Sequence, residues 1–154
     1  MKKLVELIDV KPKLAKIVLK SLPDRPGIAA EVFSLLGNQG FNIELIAESG
    51  TGKGETDLSF AIAADEVERA VEFLKGQKQV ETKDIIIGKG MGMLTIYGER
   101  LGRTPGVAGR LFSALARKGI NIEMIGTSLS SLSVLIHEGK LKEAEEAARE
   151  EFSR

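Results

Sequence analysis

Two stretches of this chain carry groups that could hold a small charged molecule. The turn Asp24-Arg25-Pro26-Gly27 leads into an apolar stripe of helical period. The first amides of a helix have no partner inside it, so the N–H groups of Gly27, Ile28 and Ala29 are expected to face outward with partial positive charge. That spot suits a carboxylate. Gly27 lets a ligand approach the backbone, and each charge-assisted hydrogen bond contributes roughly 1.5–3 kcal/mol. An ammonium needs acceptors instead. Asp24 at the turn, with Glu44 and Glu48 on one face of the strand that follows, supplies carboxylates, while Asn42 or Asn121 can donate and accept at once. Together these groups would recognise a zwitterion.

Composition removes most other chemistry. The chain has 154 residues, no Cys and a single His, which leaves no disulfide, thiolate nucleophile, Cys-ligated zinc or His-rich metal site. No metal or cofactor is expected. Lys plus Arg and Asp plus Glu each number 22, so no net field draws in a polyanion. No apolar run approaches the roughly 20 residues that span a bilayer, and "MKKLVELIDVKPK" has no signal-peptide core, so a soluble cytoplasmic protein is expected. "GTGKG" and "GKGMG" do not match a phosphate-binding loop and read as a hairpin tip and a linker. Met91 and Met93 read as linker packing, and His137 as structural or exposed.

The elements that must position these groups occur twice. At an offset of 79 residues, Pro26, Gly27, Ala29, Phe33, Ser34 and Leu36 fall on Pro105, Gly106, Ala108, Phe112, Ser113 and Leu115. Gly40, Asn42, Ile43, Glu44 and Ile46 then fall on Gly119, Asn121, Ile122, Glu123 and Ile125. A period of this length suits a small independent fold rather than a solenoid unit.

In the first copy, "KIVLKSL" reads as a strand, with Pro26 in the first turn of the helix that follows. Ile28, Val32, Leu35 and Leu36 form its buried stripe, and Gly37 and Gly40 end it. "FNIELIAE" alternates, with Phe41, Ile43, Leu45 and Ala47 on a buried face and Asn42, Glu44, Ile46 and Glu48 on the other. A glycine-rich hairpin, the strand "TDLSFAI", a helix carrying Val67, Ala70, Val71 and Leu74, and the strand "VETKDIIIG" complete a βαββαβ unit, an antiparallel sheet with two helices on one face.

The second copy runs from "MLTIYG" through a helix at 105–118 and the strands "INIEMIGTS" and "SLSVLIHEG" to a last helix that buries Leu141, Ala144, Ala148 and Phe152. It lacks a fourth strand. "KLVELIDV" at the N-terminus is a strand the first copy does not need, and an unfilled sheet edge leaves backbone groups unpaired, so the N-terminal strand should cross over to the second copy. The fold class is therefore α+β, two ferredoxin-like domains in tandem: residues 13–88, and residues 1–12 with 91–154.

"PDRPGIAAEVF", "GFNIELI" and "TDLSF", echoed by "PGVAGRLFSALARKGINIEMIGTS" and "LSVLI", resemble the tandem ACT domains of the regulatory region of aspartokinases. The resemblance covers nearly the whole chain and implies an interlocked pair of domains without a kinase half, hence a regulatory module and not an enzyme. It implies a threonine-type effector site between the first domain of one chain and the second of its partner in a homodimer, with Gly27 and Ala29 on one side and Asn121 and Ile122 on the other. A lysine-type site nearby would use Asp24, Glu44 and Ser128. Glu48 stands where the family commonly has Gln, and Ala108 where some members have Thr, so which amino acid binds stays open.

Two alternatives share this strand order: a structural or regulatory subunit of a separate aspartokinase-like enzyme, and an RNA-binding module. The latter needs exposed aromatics and a basic face, against one Tyr and no Trp here.

Overall fold

The computed structural model describes residues 3–153. Residues 1, 2 and 154, which the expected domain ranges include, lie outside the described residues. The elements are β1 (Leu7–Pro23), α1 (Ile28–Asn38), β2 (Leu45–Gly50), β3 (Glu55–Ala63), α2 (Val67–Lys75), β4 (Asp84–Tyr97), α3 (Val107–Arg117), β5 (Ile122–Thr127), β6 (Ser131–His137) and α4 (Leu141–Phe152). They fall into two compact units, residues 14–89 and residues 1–13 with 90–154.

In the first-repeat unit, residues 14–89, the strand order is β2-β3-β1. β1 runs antiparallel to β3 from Leu14 opposite Ala63 to Pro23 opposite Glu55, and β2 to β3 from Leu45 opposite Ala61 to Gly50 opposite Thr56. Ile17, Leu19, Leu58, Phe60 and Ile62 face the helices, where Val32 and Leu36 of α1 and Val67, Ala70 and Leu74 of α2 close the core. Phe33 meets Phe60 edge-on, with centroids 5.6 Å apart, and Ile85 of β4 packs on the same core. The stripe predicted for α2 is buried, and so are Ile28, Val32 and Leu36 of the stripe predicted for α1, while Leu35 is only partly buried.

β1 carries an irregularity between Leu19 and Leu22, where Ser21 takes the left-handed conformation at φ 56°. One carboxylate holds it: Ser21 N–H donates to Asp57 Oδ1 at 2.9 Å, and Lys20 Nζ to Oδ2 at 2.6 Å. The lysine bond, then the backbone bond, keeps the Asp57 carboxyl below its ordinary value of 3.8. A folded-state pKa below the unfolded one adds stability that is complete above 3.8 and is lost as pH falls through the depressed value. We therefore expect Asp57→Asn to lower Tm at pH 7 and the gap from wild type to close below pH 3.8, checked by thermal melts across that range. A gap that stays constant with pH rules the carboxylate out as the clamp.

In the second-repeat unit, residues 1–13 with 90–154, the order is β4-β6-β5. β4 pairs with β6 from Met91 opposite His137 to Tyr97 opposite Ser131, and β5 pairs with β6 from Ile122 opposite Ile136 to Thr127 opposite Leu132. Leu94, Ile96, Val134 and Ile136 pack under Leu111 and Leu115 of α3 and under Leu141, Ala144 and Ala148 of α4. The N-terminal segment joins this unit as expected from strand counting. Val5 belongs to its core, Leu4, Ile8 and Val10 pack against it, and Glu6 N–H donates to Tyr97 O at 2.7 Å.

Several boundaries differ from the sequence reading. "KLVELIDV" and "KIVLKSL" are not separate strands; both contribute to one, β1, which passes through Lys13 at φ 60°. Likewise "DIIIG" and "MLTIY" join into β4, so "GKGMG" is strand rather than linker, with Gly90 at φ 72° and Met91 buried. Non-local pairing, invisible in local periodicity, carries a strand across a proline or glycine. Pro26 lies before α1 rather than in its first turn, and α1 continues through Gly37 to Asn38. The strand read from Phe41 begins only at Leu45. It is an edge strand whose residues from Ile46 onward are exposed, so Ala47 is not buried.

Candidate functional site

Gly27 stands immediately before α1 in the left-handed conformation, φ 92°, and its repeat partner Gly106 stands before α3 at φ 88°. No side chain caps either helix. This conformation costs most residues of order 1 kcal/mol, which is why glycine occupies both positions. Gly27 O accepts from Glu31 N–H at 2.9 Å and Gly106 O from Arg110 N–H at 3.0 Å, so both helices start alike.

One expected donor is already engaged. Ile28 N–H bonds Arg25 O at 3.3 Å, closing the turn, and the Ile28 side chain is buried in the core. Of the three amides, those of Gly27 and Ala29 are the ones the helix start itself does not use. Ala29 is half-buried against the core.

An ion pair that sequence reasoning missed flanks this point. Arg25 Nη2 lies 2.8 Å from Glu31 Oε2, both side chains being well exposed. The shared hydrogen bond raises the Arg25 guanidinium pKa and lowers that of the Glu31 carboxyl. The only signal would have been two opposite charges across a turn whose geometry the sequence does not state.

The carboxylates are held by neighbours. Asp24 N–H donates to Gly54 O at 2.9 Å, and Asp24 Oδ2 lies beside Gly50, so Asp24 sits against the tip of the β2–β3 hairpin. Glu44 accepts from Asn42 Nδ2 at 2.8 Å, and in the second repeat Glu123 accepts from Asn121 Nδ2 at 2.6 Å. Each Asn-Ile-Glu copy thus uses its amide nitrogen to orient its own carboxylate, leaving the amide oxygen as an acceptor. Glu48 Oε1 lies 3.4 Å from the hydroxyl of buried Thr56. Glu48 and Ile46 are opposite Leu58 and Phe60, which places them on the helix-bearing side of the sheet.

In the second-repeat unit Ile122 opens β5, half-buried, opposite Ile136. Ser128 is committed to the β5–β6 turn. Its N–H donates to Ser131 O at 2.9 Å, its hydroxyl is 2.8 Å from that of Ser131, and it accepts from Ser130 N–H at 3.3 Å. Asp24, Gly27, Ile28, Ala29, Glu44 and Glu48 therefore share the first-repeat unit, and Asn121, Ile122 and Ser128 the second. Among the described residues no group of three or more acids or histidines is placed to hold a metal, and no helix is long and apolar enough to cross a membrane.

Residues 17–77 and 94–152 each match the ACT domain, and the chain belongs to the ACT domain family. The aspartokinase of Mycolicibacterium smegmatis is 36% identical over 141 residues, covering 90% of this chain and 34% of the relative; that of Helicobacter pylori strain 26695 is 36% identical over 135 residues, covering 88% and 32%. The chain thus spans about a third of the length of these curated relatives. The solved regulatory subunit of aspartate kinase from Thermus thermophilus, in its ligand-free form, is 32% identical with a TM-score of 0.88, over 97% of this chain and 99% of that one. The chain is a regulatory ACT module of the aspartokinase type.

Proposed function

We propose that this module senses a free amino acid in the cytoplasm, at an interface between two copies of the chain, and so regulates an aspartokinase-type enzyme of amino-acid biosynthesis without itself catalysing a reaction. Its domains would be residues 13–88 and residues 1–12 with 91–154. The observation that carries the reading is the twofold occurrence of one constellation: a left-handed glycine opening a helix, and an Asn-Ile-Glu segment leading into an edge strand. β2 and β5 are those edge strands, and each exposes an isoleucine at the same repeat position, Ile46 at 52% and Ile125 at 46%.

An apolar edge with unpaired backbone groups invites a second chain. Pairing β2 of one copy with β5 of another would bring Gly27 and Ala29 opposite Asn121 and Ile122. The engagement of Ser128 in its own turn favours this threonine-type set over the lysine-type set of Asp24, Glu44 and Ser128. Glu48, on the Ile46 side of β2, would face the same ligand.

Binding across chains favours whichever assembly completes the pocket, by no more than the ligand's differential affinity for it. A catalytic partner, in the manner of the solved aspartokinase alpha and beta subunits that this fold resembles at 27% identity and a TM-score of 0.87, would read that shift. The test is melting and sedimentation of the chain with L-threonine or L-lysine at millimolar concentration. A ligand at 100 times its Kd stabilises by about 2.7 kcal/mol, and the dimer fraction should rise with it. Asn121→Ala should remove both effects. Absence of any shift with either amino acid leaves the module as a subunit without an effector of its own.

A further inference from the structure

We propose that the second-repeat unit carries an additional small-molecule site, a cleft between α3 and α4 that takes a free α-amino acid with a short uncharged side chain. The comparison of the two repeats carries this inference. At the 79-residue offset Leu35 of α1 falls on Ala114 of α3; counted from the helix starts Val67 and Leu141, Phe73 of α2 falls on Ala147 of α4. Leu35 and Phe73 pack against the first core, the Phe73 ring 6.4 Å from that of Phe41. Two alanines in their places leave room. The second-repeat unit has there a cleft of about 440 Å³ lined by Ala114, Arg117, Lys118, Ala147, Glu150 and Glu151.

The walls differ between repeats as well. Arg117 and Lys118 replace the neutral Asn38 and Gln39. Glu151 is fixed by two arginines: Arg110 Nε to Oε2 at 2.9 Å and Arg117 Nη2 to Oε1 at 3.1 Å, with the Arg110 guanidinium 4.6 Å from the centre of the Phe152 ring. Lys118 and Glu150 remain. Among the described residues neither has an ion-pair partner, and they do not pair with each other.

An exposed cation and an exposed carboxylate thus border one cleft over a floor of two buried alanines. Glu150 lies in the last turn of α4, whose C-terminus adds partial negative charge that favours a ligand ammonium near Glu150. The ligand carboxylate then goes to Lys118 and the remaining donors of Arg117, and a short side chain lies on Ala114 and Ala147. The cleft volume is within the range of small-molecule sites, about 300–1,000 Å³.

The test is a ¹⁵N-resolved titration of the chain with L-valine, isobutylamine and 3-methylbutanoate. L-valine should give saturable shifts at Ala114, Arg117, Lys118, Ala147 and Glu150. The amine and the acid, each lacking one charge, should bind at least about tenfold more weakly. Ala114→Leu with Ala147→Phe, which restores the filling of the first repeat, should fold and lose these shifts. Lys118→Gln and Glu150→Gln, both exposed and therefore not at risk of unfolding, should each weaken binding by about tenfold. The proposal is overturned by the absence of saturable shifts at these residues, by equal binding of the amine or the acid, by shifts that survive in the folded filled variant, or by unchanged affinity in both single variants. Shifts around Gly27 and Asn121 on adding L-threonine report separately on the inter-chain site and should persist in every cleft variant.

Discussion

Gly98→Ala should unseat the N-terminal strand and destabilise the second-repeat unit by about 3 kcal/mol, the upper end of the usual cost of overpacking. A β-carbon on Gly98 would stand 2.0 Å from Leu4 O and 3.1 Å from Leu4 C. Both are backbone atoms, so no rotamer change relieves the clash and the segment itself must move. Val5, with Leu4, Ile8 and Val10 packed beside it, would leave the core together, and the bond from Glu6 N–H to Tyr97 O would go with them. Gly109→Ala is the matched control: its β-carbon meets nothing within 4 Å, and in the first turn of α3 it should stabilise by no more than about 1 kcal/mol. Urea unfolding of both variants, with hydrogen exchange at Ile8 and Val10, checks the pair. A Gly98→Ala midpoint equal to wild type would mean that the N-terminal segment is not seated against Gly98 in solution.

That strand shows what local sequence could and could not foretell. Counting strands placed it in the second repeat, because an unfilled edge costs more than a long crossover. The apolar stripe of α1, the hairpins and the four-residue echo of Gly and Asn-Ile-Glu were equally legible, since each depends on residues close in sequence. The continuity of β1 through Pro12 and Lys13, and of β4 through "GKGMG", was not. It comes from partners far along the chain: Lys13 N–H, for one, is held by Glu138 Oε1 at 2.9 Å.

At the candidate site the same division holds. The glycine before each helix and the neighbouring acids could be read from residue type, because the backbone conformation and charge they confer are local. The pairing of Arg25 with Glu31, the loss of the Ser128 hydroxyl to Ser131, and the use of each asparagine to steer its own glutamate rest on side-chain contacts of 2.6–2.8 Å that residue types do not state. The exchange of Leu35 and Phe73 for two alanines was present in the sequence, but acquires meaning only once the helices they line are seen side by side.

The second large effect concerns Phe60, wholly buried on β3 with Ile17 opposite it on β1 and Ile46 opposite it on β2. Phe60→Ala removes a ring and leaves a cavity that a sheet pinned on both sides cannot collapse to fill, so the first-repeat unit should lose about 4 kcal/mol. Phe33 loses its edge-on partner, and Phe33 lies in the second turn of α1. The helix start at Gly27 and the edge strand bearing Ile46 and Glu48 therefore loosen from opposite sides of the same hole. The amino-acid affinity proposed for this edge should fall even under conditions where the variant stays folded.

Hydrogen exchange separates the consequences. Each unit has a core of its own, so protection should fall across Leu58–Ile62 while Leu132–Ile136 stays closer to wild type. Equal loss in both segments would mean that the two repeats unfold as one cooperative body, and an effector bound at the edge of one would then be felt in full by the other.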